Sequence, residues 1–170
     1  MPSTYTPIAT QTLGSNATSV TFSSIPATYT DLVLISSCAV TGGASSVYFR
    51  FNGDTATNYS NTYLYGDGSA AGSGRGSNAT YGIAAYYATP SATLGGSVNI
   101  LNVMNYANTT TNKTAIGRAN ANGSTYPGAE TMVNLWRSTA AINSIALLFS
   151  GAGPEFITGS TFTLYGIKAA

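Results

Sequence analysis

Five carboxylates, six cations, one thiol and no histidine are all that this chain of 170 residues offers to acid–base, nucleophilic or metal chemistry. Without His, the Ser-His-Asp and Cys-His constellations, imidazole metal sites and the usual general base are lost together. Glycoside hydrolysis needs two carboxylates flanking one bond. Asp31, Asp54, Asp67, Glu130 and Glu155 are scattered singly and form no recognisable pair. Distant residues can meet in a fold, so this spacing argues against an enzyme without forbidding one. The expectation is a chain with no catalytic residues.

Asn52, Asp54 and Asn58 could supply oxygens to a hard cation, but their spacing fits no calcium loop and the closing glutamate is missing. Asn52-Gly53 instead signals a type I′ hairpin turn, with Asp54 as turn chemistry. The run Gly66–Asn78 has the look of a glycine-rich phosphate loop, yet no Lys-Ser/Thr follows and no helix is expected after it. Cys38 lies in the apolar run Leu32–Val40, where a small buried thiol is the ordinary reading. Neither a metal ion nor a cofactor is expected.

Binding chemistry is better represented. The twelve tyrosines each join broad apolar contact to a hydroxyl, a combination favoured at interfaces. Tyr is also a good strand residue, so some copies belong to the core. Tyr5, Arg75, Tyr86, Tyr87 and Tyr126 are the candidate partner contacts, whereas Trp136 reads as a core anchor. The net charge is +1 and only 6% of residues are charged, against roughly 25% in ordinary soluble domains. No basic stripe exists to neutralise a run of phosphates, so nucleic acid is not an expected partner. No apolar stretch approaches the roughly 20 residues that span a bilayer, and Met1–Tyr5 lacks the regions of a secretory leader. A membrane is not expected, and cytoplasmic synthesis is.

The elements that must position these residues are strands. Thr, Ser, Asn and Gly replace Lys and Glu, giving a poor helix former throughout. Short β-branched and aromatic runs separated by turn signals predict an all-β antiparallel sandwich or barrel of about nine or ten strands. They are drawn from Ile8–Leu13, Ser19–Phe22, Asp31–Val40, Ser46–Phe51, Tyr59–Tyr65, Tyr81–Tyr87, Gly96–Tyr106, Lys113–Asn120, Glu130–Arg137, Ile142–Ser150 and Thr161–Ile167. Val98 and Ile100 share a face, as do Val47, Phe49 and Phe51, and Phe162 and Leu164, so half-buried strands are expected there. Leu32–Ile35 and Ala146–Phe149 are continuous apolar runs suited to central strands. Gly66–Asn78 and Asn120–Gly128 are expected as two long loops, the first flexible with Arg75 at its tip, and are where variable function would sit. Residues 1–7 read as an N-terminal arm and 8–170 as one sandwich domain.

Several motifs join these pieces: Phe22-Ser23-Ser24-Ile25-Pro26 with Tyr29-Thr30-Asp31-Leu32-Val33-Leu34, Arg50-Phe51-Asn52-Gly53-Asp54 with Asn58-Tyr59-Ser60, and Gly159–Lys168. In these the chain resembles a family of small virion structural proteins of tailed phages, especially those of cyanobacteria and other aquatic hosts. The resemblance touches both ends and is weakest over Gly66–Tyr87. It implies a single-domain, jelly-roll-like β-sandwich in a particle-associated protein described as capsid cement or as a tail or fibre component. The leading expectation is a cement or decoration protein, made in the bacterial host cytoplasm. It would bind the major capsid protein on the outside of the assembled head as a homotrimer, with the arm Met1–Pro7 on a neighbouring subunit. The alternative is a tail or fibre domain recognising host polysaccharide through Tyr, Asn and the two loops. Its difficulty is that the first strand begins near Ile8, leaving no docking segment or shaft. A lectin-like module unrelated to virions is the third reading, favoured only if the resemblance misleads.

Overall fold

Period-two alternation dominates the chain, and in the computed structural model it is realised as strands with no helix among the described residues, which are 4–42, 45–86, 97–122 and 127–168. The strands are β1 (Tyr5–Thr12), β2 (Ser19–Phe22), β3 (Asp31–Cys38), β4 (Val47–Phe51), β5 (Tyr59–Gly66), β6 (Ala71–Ala79), β7 (Gly82–Ala85), β8 (Ser97–Met104), β9 (Lys113–Asn122), β10 (Pro127–Trp136), β11 (Ile145–Leu148) and β12 (Thr161–Ile167). They form an eight-stranded sheet of order β1-β12-β3-β8-β9-β10-β5-β6 and a four-stranded sheet of order β2-β11-β4-β7. All pairings are antiparallel.

Eight of these strands make a jelly roll, the double-sheet solution to the edge problem of antiparallel proteins. Taken in chain order, β1, β2, β3, β4, β7, β8, β11 and β12 change sheet at every step but one, since β4 and β7 both lie in the smaller sheet. They give the four-strand orders β1-β12-β3-β8 and β2-β11-β4-β7. Two hairpins are then added beyond β8: β9–β10 pairs directly with it, and β5–β6 pairs with β10. The larger sheet therefore carries a four-stranded extension with β6 as its outer edge.

The jelly-roll core follows the expected alternation. Phe162 and Leu164 on β12 are fully buried, as are Phe49 and Phe51 on β4. Phe156 packs edge-on against Phe162, with ring centroids 5.1 Å apart. Burying each such side chain is worth about 1.5–3 kcal/mol. Leu32, Val33 and Leu34 are buried in succession on β3, an interior strand. Trp136 is a core anchor, packing edge-on to Phe51 and stacked with Tyr59.

Four expectations are corrected. The arm ends earlier than residue 7, because β1 begins at Tyr5 and Tyr5–Pro7 pair with Tyr165–Ile167. Pro7 is tolerated because β1 is an edge strand and the register shifts beside it. Asn52 and Gly53 do adopt the left-handed φ values, +53° and +66°, that a type I′ turn requires, and the Asp54 N–H donates to the Phe51 carbonyl at 3.0 Å. That turn joins β4 of one sheet to β5 of the other, so it makes no hairpin. Gly66–Asn78 is not a loop: only Asp67–Ala70 turns, and β6 occupies the rest. The second expected loop shrinks as well, since β9 runs to Asn122 and β10 starts at Pro127. Residues 123–126 lie outside the described residues.

Candidate interaction site on the extended sheet

Along β8, β9, β10 and β5 the inner face is mixed: Leu101, Val103, Met132, Trp136 and Tyr59 are buried there, but so are polar side chains, and several aliphatic ones face out. Val98 and Ile100 do share a face, but it is the outer one, while Ser97 and Asn99 between and before them are buried. Asn61, Glu130 and Asn134 are likewise buried, whereas Leu64 is 56% exposed, Val133 51%, Met104 41% and Ile116 39%. The register places these apolar side chains together. Asn102, Ile116, Val133, Thr62 and Arg75 lie abreast across five strands, and the neighbouring row is Ile100, Arg118, Thr131, Leu64 and Ser73. The outer surface is thus a broad sheet face of aliphatic and hydroxyl groups.

Charge does little to break that face up, because the fold consumes most of it. Arg50 donates to the Thr80 carbonyl, and Lys168 sits 5.6 Å from the Tyr29 ring. Arg137 bonds Ser60, Thr57 and Asn78. Lys113 is buried and donates to the Thr111 and Thr139 carbonyls, and burial pulls its pKa below the usual lysine range. Arg75 and Arg118, both on the outer face, are the two remaining cations. The carboxylates are dispersed in the same way. Asp31 accepts from the Asn105 N–H, Asp67 caps its own turn, Glu130 accepts from the Tyr86 N–H and Glu155 from Asn16. Burial pushes the Asp54 pKa up, but hydrogen bonds from Asn58, Trp136 and the Ala56 N–H, with Arg50 nearby, outweigh it and leave the carboxyl below its ordinary range. Each carboxylate therefore serves a different part of the fold. Burial pushes the Cys38 thiol up to about 12, leaving it protonated and inert at neutral pH.

The inner face of the extension is built by polar side chains gripping β7, the edge of the smaller sheet. Asn134 accepts from the Ile83 N–H at 2.8 Å and donates back to the Ile83 carbonyl at 3.0 Å. Four residues earlier on β10, Glu130 holds the Tyr86 N–H at 2.9 Å. An edge strand's free backbone groups are satisfied here by side chains rather than by another strand. At the outer end, Tyr65, Tyr63 and Asn61 of β5 lie opposite Gly72, Gly74 and Gly76 of β6. A Cβ at Gly72 or Gly74 would run into the Tyr65 or Tyr63 ring, and one at Gly76 would sit 3.2 Å from the Asn61 amide. The glycines of β6 are seats for rings, the pairing by which aromatic side chains rescue edge glycines. Beside them opens a cleft of about 190 Å³ bordered by Tyr48, Asn61, Tyr63, Gly76, Tyr81 and Tyr86.

Of the residues singled out in the sequence, Arg75 and Tyr86 meet at this cleft. Arg75 reaches it from the middle of an edge strand instead of from a loop tip. Tyr5 is exposed but sits on β1 at the opposite edge of the larger sheet, its ring edge-on to Tyr165. Tyr87 and Tyr126 lie outside the described residues. Sequence reasoning missed Asn61, Tyr63 and the outward Leu64, Ile116 and Val133. A signal was present in the matching period of two in Tyr63/Tyr65 and Gly72/Gly74/Gly76 on either side of a short Asp67–Ala70 turn. Neither the protein-family models nor the curated proteins include one that matches this chain.

Proposed function

We propose that this protein is a non-catalytic structural component of a tailed-phage particle. In this reading it cements the outside of the assembled head by laying the outer face of its extended sheet on the major capsid protein. One observation carries the reading: an aliphatic and hydroxyl face on which, among the described residues, the charges are Arg75 and Arg118. Monomeric proteins rarely leave a large apolar patch open, and such patches mark contact surfaces. A charge-poor face of this kind gives contact through burial and hydrogen bonds, with little dependence on salt. Binding the lattice rather than the free subunit draws the capsid toward its assembled form, and a homotrimer spanning several subunits adds avidity.

Immunogold labelling of intact phage particles with an antibody against this chain tests the location. Grains spread over the head are the expected result. Grains confined to the tail tip would overturn the cement reading.

A further inference from the structure

We propose that the tyrosine-bordered cleft between β5–β6 and β7 is a binding site for one neutral pyranose sugar. This inference does not rest on the capsid reading and holds wherever on a particle the protein sits. Its basis is a contrast between two neighbouring asparagines. Asn134 and Asn61 are cross-strand partners on the inner face, and both are buried. Asn134 spends both ends of its amide on Ile83, whereas Asn61 Oδ1 accepts no hydrogen bond from any described residue. A buried acceptor without a donor costs free energy, so native folds seldom retain one without a use. Asn61 is 8% exposed and sits at the cleft wall, held against the bare backbone of Gly76.

The rest of the cleft supplies what a sugar ring needs. A pyranose presents an apolar C–H face, which packs on aromatic rings, and hydroxyl donors, which seek acceptors. Tyr48 and Tyr81 form one ring pair at 4.0 Å between centroids, and Tyr63 and Tyr86 form another at 5.2 Å. Tyr86 is 37% exposed. Glu130 is engaged on the Tyr86 N–H, and among the described residues Arg75 is the charged one that borders the cleft. A volume of about 190 Å³ is below the roughly 300–1,000 Å³ of drug-sized pockets. It suits a single ring, such as one residue of a longer glycan. Asn61 Oδ1 is shielded from water in the free protein, so it accepts from a sugar hydroxyl once the side chain turns toward the cleft, and the tyrosines set the plane of the ring.

The full chain titrated with glucose, galactose, mannose, rhamnose and N-acetylglucosamine, followed by amide NMR shifts, tests this directly. At least one sugar is expected to give saturable shifts centred on Asn61, Gly76, Ile83 and Tyr86. Asn61→Leu keeps the side-chain shape and removes the acceptor. It should weaken binding by about tenfold or more while leaving Tm unchanged or raised, because the acceptor has no partner in the free protein. Tyr86→Ala, which removes an exposed ring, should weaken binding without unfolding the core. The proposal is overturned if no sugar gives saturable shifts, if glycerol reproduces them, or if Asn61→Leu binds as tightly as the wild type.

Discussion

The jelly-roll strands and the four-stranded extension meet in the larger sheet, but their inner faces differ in chemistry. On β12 and β4 the aromatic and aliphatic residues point inward, and the buried positions are Phe162, Leu164, Phe49 and Phe51. On β10 and β5 the inward positions mix Glu130, Asn134 and Asn61 with Met132, Trp136 and Tyr59, while Val133 and Leu64 face out. Because side chains alternate strictly along a strand, a strand cannot turn its apolar set inward without shifting every cross-strand partner. The extension keeps its register because Asn134 and Glu130 hold β7, and Tyr63 and Tyr65 hold β6. The first part supplies most of the aromatic core, and the second adds a partly polar inner layer and leaves aliphatic side chains on its outer surface.

The largest effect should come from opening the aromatic core. Phe162→Ala, at a fully buried position beside Phe156, is expected to cost about 3–5 kcal/mol of unfolding free energy in denaturant titrations. Gly74→Val asks whether the extension is equally well specified. If β6 were a pliant loop the substitution would be neutral; against the Tyr63 ring it should cost about 1–3 kcal/mol. The joint between the halves is tested by acid. The Asp54 carboxyl, held below its ordinary 3.8 by Asn58, Trp136 and Ala56, lends stability that is complete above the unfolded value and is lost as pH falls through the folded one. Chemical denaturation across this range should show an acid limb that Asp54→Asn flattens. The smallest effect belongs to the outer face, where Val133→Thr should change stability by no more than about 0.5 kcal/mol. A larger loss there would mean that the two halves are packed alike.

The same contrast explains what could be read from the chain. Strands β2, β3, β4 and β12 were legible because their apolar residues recur where burial needs them, and Asn52-Gly53 disclosed its positive φ values. Trp136 and Cys38 were legible from the company they keep. Strand β6 was not, because Gly72, Gly74 and Gly76 carry no side chain to show a period and their role depends on rings from β5. Asn61 and Lys113 were hidden for a related reason: polar residues at inward positions defeat any reading that sends polar groups to water. Arg75 and Tyr86 were picked from residue type alone, and the cleft that joins them depends on β7 meeting β5, a contact far apart in sequence.

The central claim, that the outer face of the extension is a docking face for the capsid, is tested most directly by co-sedimentation with purified empty heads. The wild type and a Leu64→Thr/Ile116→Thr/Val133→Thr variant would be compared at equal concentration. We predict that the wild type sediments with heads in a saturable manner and that the variant stays in the supernatant with its fold and Tm preserved. Equal sedimentation of both proteins, or failure of the wild type to bind heads, would contradict the account.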